Sequence, residues 1–398
     1  MPNGPLSGIR VFDLTIAMVG PWCAMQLGAM GADVVHVEAR EAVRGGVPPS
    51  INGTSIGYIT WNMNKRGIQF DLKAQDDRAD AYELLKTCDV FLMNMRPDVA
   101  GRLGVDYESV SKVNPGIVYV AVTGWGQTGP MRDLPGADGQ IQHYTGFGSA
   151  NGVEGSEDGE IYRHFTQMDA TTGNYACQAI LMGLLARKKT GKGQRIDVSM
   201  LRATSALQTG RLTEYLASKE NPKPLGSKSQ AVAPSQAFMC HDQRSLGVEA
   251  TNEAEWRGLC AAIGKPELAE DARFATNSDR VAHRAELCAI LEPAFASKPL
   301  DYWVLELGKV NVPNGRPMRW DEIRNHQQVL QNDYLVEIET KSWGTVWTGG
   351  PPWHFSNTPA RWFRTPELGE HGEEIMRDVR EGRPVESPAA ASTPTRNQ

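Results

Sequence analysis

Asp169 is the residue whose position could support chemistry, because it stands at the entrance to an apolar helical pattern. From Thr171 onward apolar residues recur at three- and four-residue steps, and Gly191 follows a basic last turn as a C-cap glycine would. A carboxylate at a helix N-terminus lies at the positive end of the helix dipole and beside free N–H groups, so we expect it to be ionised. Such a carboxylate can be a nucleophile. Aspartate is also a common N-cap residue, and spacing alone favours that structural role.

The composition excludes several kinds of partner. The chain has 398 residues, enough for two domains with substantial cores, and a net charge of −6. This charge gives no electrostatic basis for binding nucleic acid or an anionic membrane, so we expect neither. The six cysteines form no CxxC pair, which predicts reduced, buried thiols and no zinc or disulfide framework. The eight histidines contain no HExxH motif, and we assign no metal site.

The N-terminal residues carry no targeting pattern. They lack a charged segment followed by an apolar one, and no apolar run in the chain reaches membrane-spanning length. We therefore expect a cytoplasmic protein.

The N-terminal third predicts a parallel, doubly wound α/β sheet. Short apolar strands alternate with helices, the strands being 9–14, 33–37, 90–93 and 117–122. Ligands of such sheets lie beyond the carboxyl ends of the strands. The first strand–helix turn lacks GxGxxG, and no P-loop is present, which disfavours a dinucleotide. Basic residues instead follow the strands and suit an anionic ligand: Arg40, Lys65, Arg66, Lys73, Arg96 and Arg102.

Composition breaks divide the chain into predicted domains. Residues 123–155 form a glycine-rich loop typical of site-forming segments. A Pro/Gly break at 221–226 and a helix near 320–325 bound a second unit. We predict a discontinuous large domain of residues 1–220 with 322–380, a smaller α+β domain of residues 226–320, and a disordered tail of residues 381–398.

Five ordered blocks of sequence carry a resemblance to a known family. The blocks are PLSGIRVFDLTIAMVGPWCAMQLGAMGADVVHVE, NKRGIQFDLK, NMRPDVAGRLGVDY, GWGQTGP and KTGKGQRIDVSM, and they span roughly the first 220 residues. With them the chain resembles the class III CoA-transferases, a family that includes formyl-CoA:oxalate and carnitine CoA-transferases. The resemblance implies an enzyme that uses acyl-CoA and a small carboxylic acid as substrates, without a tightly bound cofactor. It also implies a Rossmann-like large domain built from both chain ends, and two subunits interlocked as a homodimer.

The resemblance favours a catalytic Asp169 over a structural N-cap, since the family's nucleophile falls on this position. Its carboxylate would attack the donor thioester to give a mixed anhydride, and CoA thiolate would then convert the anhydride to an aspartyl-CoA thioester. The acceptor acid would repeat these steps in reverse. Water must be excluded from both intermediates, so we expect the glycine-rich loops to close the site. Backbone N–H groups near Ala170 and Thr171 are expected to stabilise the oxyanion.

The family's CoA contacts fall on the first strand–helix turn and on the residues that follow later strands. Carried over residue by residue, the implied contacts are Ile16, Ala17, Met18, Val19, Arg40, Phe70, Lys73, Asn94, Met95, Arg102 and Leu103. For each of them a structural or surface role is the alternative.

Three departures from the formyl-CoA:oxalate members bear on the substrate. Met18 stands where those members have a glutamine, and Ala39 stands where they have an arginine. Their run of glycines in the small domain is reduced here to Gly247. Because of these differences we do not expect oxalate as a substrate, and the sequence does not identify the acyl group that is transferred.

Two other functions remain as alternatives. An α-methylacyl-CoA racemase of the same fold would need a histidine base in the slot that Ala137 occupies, and alanine cannot exchange a proton. His143 lies six residues further on and would require different geometry. A non-catalytic CoA-binding protein would leave Asp169 idle.

Overall fold

Strands and helices alternate through the first half of the chain. The computed structural model describes residues 4–45, 47–156, 159–160 and 165–383. In chain order its elements begin with β1 (Arg10–Leu14), α1 (Val19–Ala29), β2 (Asp33–Glu38), β3 (Ser50–Ile51), β4 (Thr54–Ser55), α2 (Ile56–Trp61), β5 (Arg66–Gln69), α3 (Gln75–Lys86), β6 (Val90–Met93), α4 (Pro97–Leu103), α5 (Tyr107–Val113), β7 (Val118–Thr123), α6 (Asp138–Tyr144) and α7 (Phe147–Ala150).

The remaining elements include the longest helix. They are α8 (Gln167–Thr190), β8 (Gln194–Ser199), α9 (Met200–Leu207), α10 (Thr209–Ser218), β9 (Ser235–Met239), β10 (Ser245–Glu249), α11 (Glu253–Ala262), a 3₁₀ helix (Pro266–Ala269), α12 (Asn277–Ala282), α13 (Arg284–Phe295), α14 (Leu300–Lys309), β11 (Asn314–Gly315), α15 (Trp320–Arg324), α16 (Gln327–Gln331), β12 (Leu335–Glu339), β13 (Thr345–Gly349) and α17 (Gly372–Arg380). Within the described residues, no helix is long and apolar enough to cross a membrane.

Six strands form one parallel sheet in the order β5-β2-β1-β6-β7-β8. The predicted parallel α/β sheet is confirmed, and the four predicted strands are its inner members. The two edge strands escape prediction because their sequences, RGIQ and QRIDVS, interrupt the apolar pattern with charged and polar residues. An edge strand is paired on one side only and therefore needs fewer apolar residues.

The sheet is covered on both faces, which is why its inner strands are almost continuously apolar. On one face the rings of Phe12, Phe91 and Tyr119 stack in a row, with centroids 5.3 and 4.9 Å apart. On the other face Val11 and its neighbours pack against α1 and α8. Helix α8 is thereby fixed on the sheet along its buried side.

A buried ionic network lies at the end of β1. Lys65 Nζ donates to Asp13 Oδ2 and to Asn62 Oδ1, each at 2.8 Å, and His36 Nδ1 lies 3.0 Å from the same Asp13 oxygen. Thr15 Oγ1 donates to the other oxygen of Asp13 at 2.5 Å. Burial opposes the ionisation of Asp13, but Lys65 and His36 outweigh it and hold the pKa of this carboxyl well below its usual range. The network fixes Thr15, the residue at which the first strand–helix turn begins.

Contacts within the chain define two compact units. Unit 1 comprises Met1–Phe147, Tyr162–Lys219 and Gln327–Gln398, and unit 2 comprises Gly148–Ile161 and Glu220–His326. Unit 2 contains the antiparallel sheet β11-β10-β9 and its own core, in which Phe295 packs against Phe238 and Trp303. The domain boundaries expected from the sequence remain predictions, because compactness alone does not define a domain that folds by itself. The tail expected to be disordered lies, from residue 384 onward, outside the described residues.

Candidate active site

Asp169 lies in the first turn of α8, whose N-cap residue is Thr166. The predicted helix and its C-cap are confirmed, since α8 ends at Thr190 and Gly191 has a φ of 70°. Asp169 is partly buried, and no group among the described residues donates a hydrogen bond to its carboxylate. The interpretation of Asp169 as a plain N-cap is therefore wrong, because a capping aspartate accepts a hydrogen bond from the first turn.

The carboxylate that does cap α8 comes from another helix. Asp138, the first residue of α6, accepts hydrogen bonds through Oδ2 from the N–H groups of Met168 at 2.7 Å and of Asp169 at 3.2 Å. Its Oδ1 accepts from Gln142 Nε2 at 2.5 Å. In the sequence, the Gly136-Ala137-Asp138 block bears on function through the histidine that it lacks. The block indicates an acid at this point, but no local pattern indicates that the acid reaches the start of α8.

The environment of Asp169 opposes its charge. Burial and, after it, the nearby Asp138 carboxylate raise the pKa of Asp169 from an ordinary value of 3.8 to about 7. The expectation that the helix N-terminus keeps this group ionised well below neutral pH is wrong. The reason is that the first-turn N–H groups are bound by Asp138, and its negative charge acts against a second one.

The amides expected to stabilise an oxyanion are not free. Ala170 N–H donates to Thr166 O at 3.0 Å. Thr171 is the fifth residue of α8, a position whose amide forms the regular helical bond to the carbonyl four residues earlier. The predicted oxyanion role of these two amides is therefore wrong.

The first strand–helix turn, residues 15–19, is held in place from both sides. Asn94 accepts from Ile16 N–H at 2.9 Å and donates to Ile16 O at 2.7 Å, while Thr15 is bound to Asp13. Between these anchors Ala17 has a φ of 63°, a left-handed conformation that alanine rarely adopts. A turn that keeps such a conformation is fixed by its surroundings.

The same turn reaches the start of α8. Met18 Sδ accepts a hydrogen bond from Thr166 Oγ1, so Met18 contacts the N-cap residue of the helix that carries Asp169. Further along, Trp22 Nε1 donates to Asn174 Oδ1 at 2.9 Å. Gly173 lies against α1, where an added Cβ would come within 2.6 Å of Val19 O. Helices α1 and α8 thus approach closely, and this packing places the predicted CoA-binding turn beside Asp169.

A second group of predicted contact residues is assembled by Asp77. This carboxylate accepts from Arg40 Nε and Nη2 at 2.8 and 2.7 Å and from Asp71 N–H at 2.6 Å. Phe70 N–H donates to Glu38 O at 2.9 Å, but the Phe70 side chain is buried in the core of unit 1. Arg40 and Lys73 are exposed.

The third group lies on α4 and the residues before it. Arg102 is exposed and pairs with Asp98 at 3.2 Å, whereas Met95 and Leu103 are partly buried against the same core as Phe70. The structure thus joins Asn94 to the turn, and the turn to Thr166 at the start of the helix that carries Asp169. Arg40, Lys73 and Arg102 remain as exposed cations. Contact of all these residues with CoA stays a prediction.

A metal centre finds no support in the part of the chain that the structure describes. That part contains no group of three or more His, Cys, Asp or Glu side chains able to hold a metal ion.

The family of the chain follows from comparison with known proteins. The sequence model of CoA-transferase family III matches residues 6–372. The chain belongs to this family. The resemblance inferred from five blocks is confirmed, and the family match extends beyond them through unit 2. The chain is therefore a class III CoA-transferase.

Relatives in the family are similar over nearly their whole length. The succinate–glutarate CoA-transferase of Agrobacterium fabrum is 34% identical over 393 residues, which cover 95% of this chain and 97% of that protein. The succinyl-CoA:glutarate CoA-transferase of Mus musculus is 33% identical over 380 residues, which cover 94% and 86%. The crystal structure of a CAIB/BAIF family protein from Brucella suis has a TM-score of 0.84 and 32% identity, and the match covers 95% of this chain and 100% of that one.

Replacing Asp169 is expected to stabilise the protein at alkaline pH. Because its pKa of about 7 in the folded chain exceeds the ordinary 3.8, the folded state binds more protons than the unfolded state between these values. Ionisation of Asp169 therefore lowers stability progressively as the pH rises from about 4 to about 7, and Asp169→Asn should raise the free energy of unfolding at pH 8 by about 4 kcal/mol relative to its effect at pH 4. Thermal melts from pH 4 to 9 measure this. The gain should shrink toward pH 4, and the exposed-site control Asp133→Asn should give no such dependence. A stability difference that is constant with pH would contradict the raised pKa.

Proposed function

We propose that this CoA-transferase moves CoA from an acyl-CoA donor to a free carboxylic acid, with Asp169 as the nucleophile. The observation that carries the proposal is the Asp169 carboxylate itself, which is partly buried and accepts no hydrogen bond from the described residues. Burial and the Asp138 charge raise its pKa to about 7. A carboxylate without such bonds keeps its lone pairs available for attack. Perturbed titration in a recessed position is a mark of functional sites.

The reaction proceeds through two covalent intermediates on Asp169. A carboxylate oxygen attacks the thioester carbonyl of the donor, the C–S bond breaks, and CoA leaves as the thiolate with the bonding electron pair. The product is a mixed anhydride between Asp169 and the donor acid. The thiolate then attacks the aspartyl carbonyl, releasing the donor acid and leaving an aspartyl-CoA thioester. The acceptor carboxylate reverses both steps, and no ATP is needed because an activated acyl bond persists throughout.

CoA lies along the carboxyl ends of the parallel strands, beginning at the first strand–helix turn. Residues 16–19 and Asn94 form its thioester end, close to Asp169. Arg40, Lys73 and Arg102 are exposed cations that meet its phosphates. Phe70, Met95 and Leu103 support this surface from the core beneath.

The substrates are CoA thioesters and free forms of small dicarboxylic acids. Both relatives described above are named for succinate or succinyl-CoA together with glutarate, and they are one-third identical over almost the whole chain. Met18 is consistent with an acid longer than oxalate, since an apolar side chain here offers no hydrogen bond to a second carboxylate placed close to Asp169.

The working protein is a homodimer of interlocked subunits. On α8, Leu181, Met182 and Leu185 form an apolar stripe whose side chains are 38%, 61% and 62% exposed. The neighbouring strand β8 is an edge of the sheet. An exposed apolar stripe beside an unpaired strand edge fits coverage by a second copy of the chain.

The transfer reaction is tested by exchange. Purified protein is incubated with succinyl-CoA, acetyl-CoA or formyl-CoA and with glutarate, succinate or oxalate, and new thioesters are followed by mass spectrometry. We expect glutaryl-CoA from succinyl-CoA and glutarate. Asp169→Ala should lower the rate by at least about 10³-fold, because no other step can replace the covalent intermediate.

Trapping and isotope exchange distinguish the alternatives. Hydroxylamine should modify Asp169 in the presence of acyl-CoA alone. Transfer retained by Asp169→Ala would refute the mechanism. Deuterium entering the α-carbon of the acyl group without transfer would instead favour a racemase, and CoA binding with neither reaction would favour a non-catalytic protein.

Removing the Asn94 amide should weaken binding of acyl-CoA. Asn94→Ala removes two hydrogen bonds that hold the first turn, each worth about 1 kcal/mol, so the KM for acyl-CoA should rise by up to about thirtyfold while kcat changes less. Steady-state kinetics measure both constants. Asn332→Ala, at an exposed amide far along the chain, is the control. An unchanged KM in Asn94→Ala would remove this turn from the CoA site.

Interlocking predicts that the dimer persists on dilution. Mass photometry at nanomolar concentration should find dimers and no folded monomer, because linked subunits cannot separate without unfolding. Leu185→Glu should lower the yield of folded dimer, whereas Lys189→Glu, one turn further at an exposed site, should not. A stable folded monomer of the unchanged chain would contradict the interlocked arrangement.

A further inference from the structure

Asp138 is a buried carboxylate that the proposed reaction does not use, although it binds the backbone of the nucleophile itself. It is 8% exposed, and its Oδ2 accepts hydrogen bonds from the N–H groups of both Met168 and Asp169. We propose that Asp138 is a positioning residue that holds the first turn of α8 in place and, through its charge, sets the strength of Asp169 as a nucleophile. This inference rests on the proposed function of Asp169.

The positioning part follows from the first-turn hydrogen bonds. A helix leaves its first N–H groups unsatisfied, and here one carboxylate oxygen takes two of them. The N–H groups are then unavailable to the Asp169 side chain. The Asp169 backbone nitrogen lies 3.2 Å from Asp138 Oδ2 on α6. The orientation of the Asp169 backbone is therefore set by α6 as well as by α8.

Asp138 is itself fixed. Gln142 Nε2 donates to its Oδ1 at 2.5 Å, and the Gln142 side chain is fully buried. On the other side of the contact, Thr204 Oγ1 donates to Met168 Sδ at 3.0 Å and Thr172 Oγ1 donates to Met168 O at 2.6 Å. Hydrogen bonds therefore hold both sides of the contact between the starts of α6 and α8.

The charge of Asp138 is the one that acts on Asp169 among the described residues. Helix α1 and strand β7 carry no charged side chain. Of the other charged or titratable groups on elements packed against α8, His143 and Tyr144 on α6 and Arg202 on α9 are exposed, and Arg195 pairs with Asp197 on β8. Burial raises the pKa of the Cys23 thiol on α1 and of the Tyr119 hydroxyl on β7, so both groups are uncharged near pH 7. Only Asp138 joins burial as a cause of the raised Asp169 pKa.

A like charge has two opposing effects on the reaction. It lowers the ionised fraction of Asp169 at neutral pH, and it makes the ionised carboxylate more basic and therefore more nucleophilic. With a pKa near 7, Asp169 keeps a charged form available at neutral pH, and the reactivity of that form exceeds that of an ordinary aspartate. Replacing Asp138 by a neutral group of the same shape should move the balance toward an ionised but weaker nucleophile.

The test measures the titration of Asp169 without substrate. The difference in melting temperature between the unchanged chain and D169N is followed from pH 4 to 9, in the native background and in D138N. Asparagine retains an acceptor oxygen for the two amides but loses the charge. The difference should grow with pH and become level above the pKa of folded Asp169. The pH at which it becomes level should fall by about one unit in D138N and stay near 7 in D138E and in the surface control D133N.

The second readout is the pH dependence of kcat/KM for succinyl-CoA with glutarate. Its acid limb should move to lower pH in D138N, with a lower plateau, and should not move in D138E or D133N. The opposing outcome is that D138N loses stability while the pH at which the melting difference becomes level and the acid limb of kcat/KM both remain near pH 7. In that case Asp138 is only a structural cap and the proposal is overturned. If D138N shifts the pH at which the melting difference becomes level while D169A still transfers CoA, the titration of Asp169 by Asp138 stands, and it is the proposed function of Asp169 that fails.

Discussion

The hydrogen bonds from the first turn of α8 to Asp138 are the constraint on which the site depends. They join two helices that lie apart in sequence, and they place two carboxylates close enough to affect one another. A helix N-terminus normally favours a nearby anion. Here the favoured anion is Asp138, and Asp169 is left partly buried without that stabilisation. The nucleophile of the proposed reaction is thus a carboxylate kept basic by its neighbour.

The other half of the proposed site is a turn held by hydrogen bonds at both ends. Its first residue is tied to the buried network of Asp13 and Lys65, and its second to the Asn94 amide at the end of the adjacent strand. Ala17 keeps a left-handed backbone between these anchors. Breaking a buried ion pair by removing one partner is costly, so the network resists rearrangement. The thioester end of CoA would therefore meet a preformed surface.

Close packing of α1 against α8 brings the two halves together. Gly173 leaves no space for a side chain beside Val19 O, and Met18 reaches the N-cap residue Thr166. A larger residue at 173 would separate the turn from Asp169. The geometry of a covalent step tolerates little displacement, which links this packing directly to the proposed chemistry. The exposed apolar stripe on the opposite side of α8 makes the same helix part of the proposed dimer contact.

The sequence by itself determined the inner strands, the C-terminal end of α8, its glycine C-cap and the family. Apolar periodicity and ordered motifs are local properties, and they can be read without knowing what lies nearby. Only the tertiary structure decided the edge strands, the occupied amides of α8 and the raised pKa of Asp169. Those features arise from Asp138, which lies about thirty residues before Asp169 and acts through burial and charge. A pattern along the chain carries no information about the distance in space between Asp138 and Asp169, because that distance is set by how α6 packs against α8.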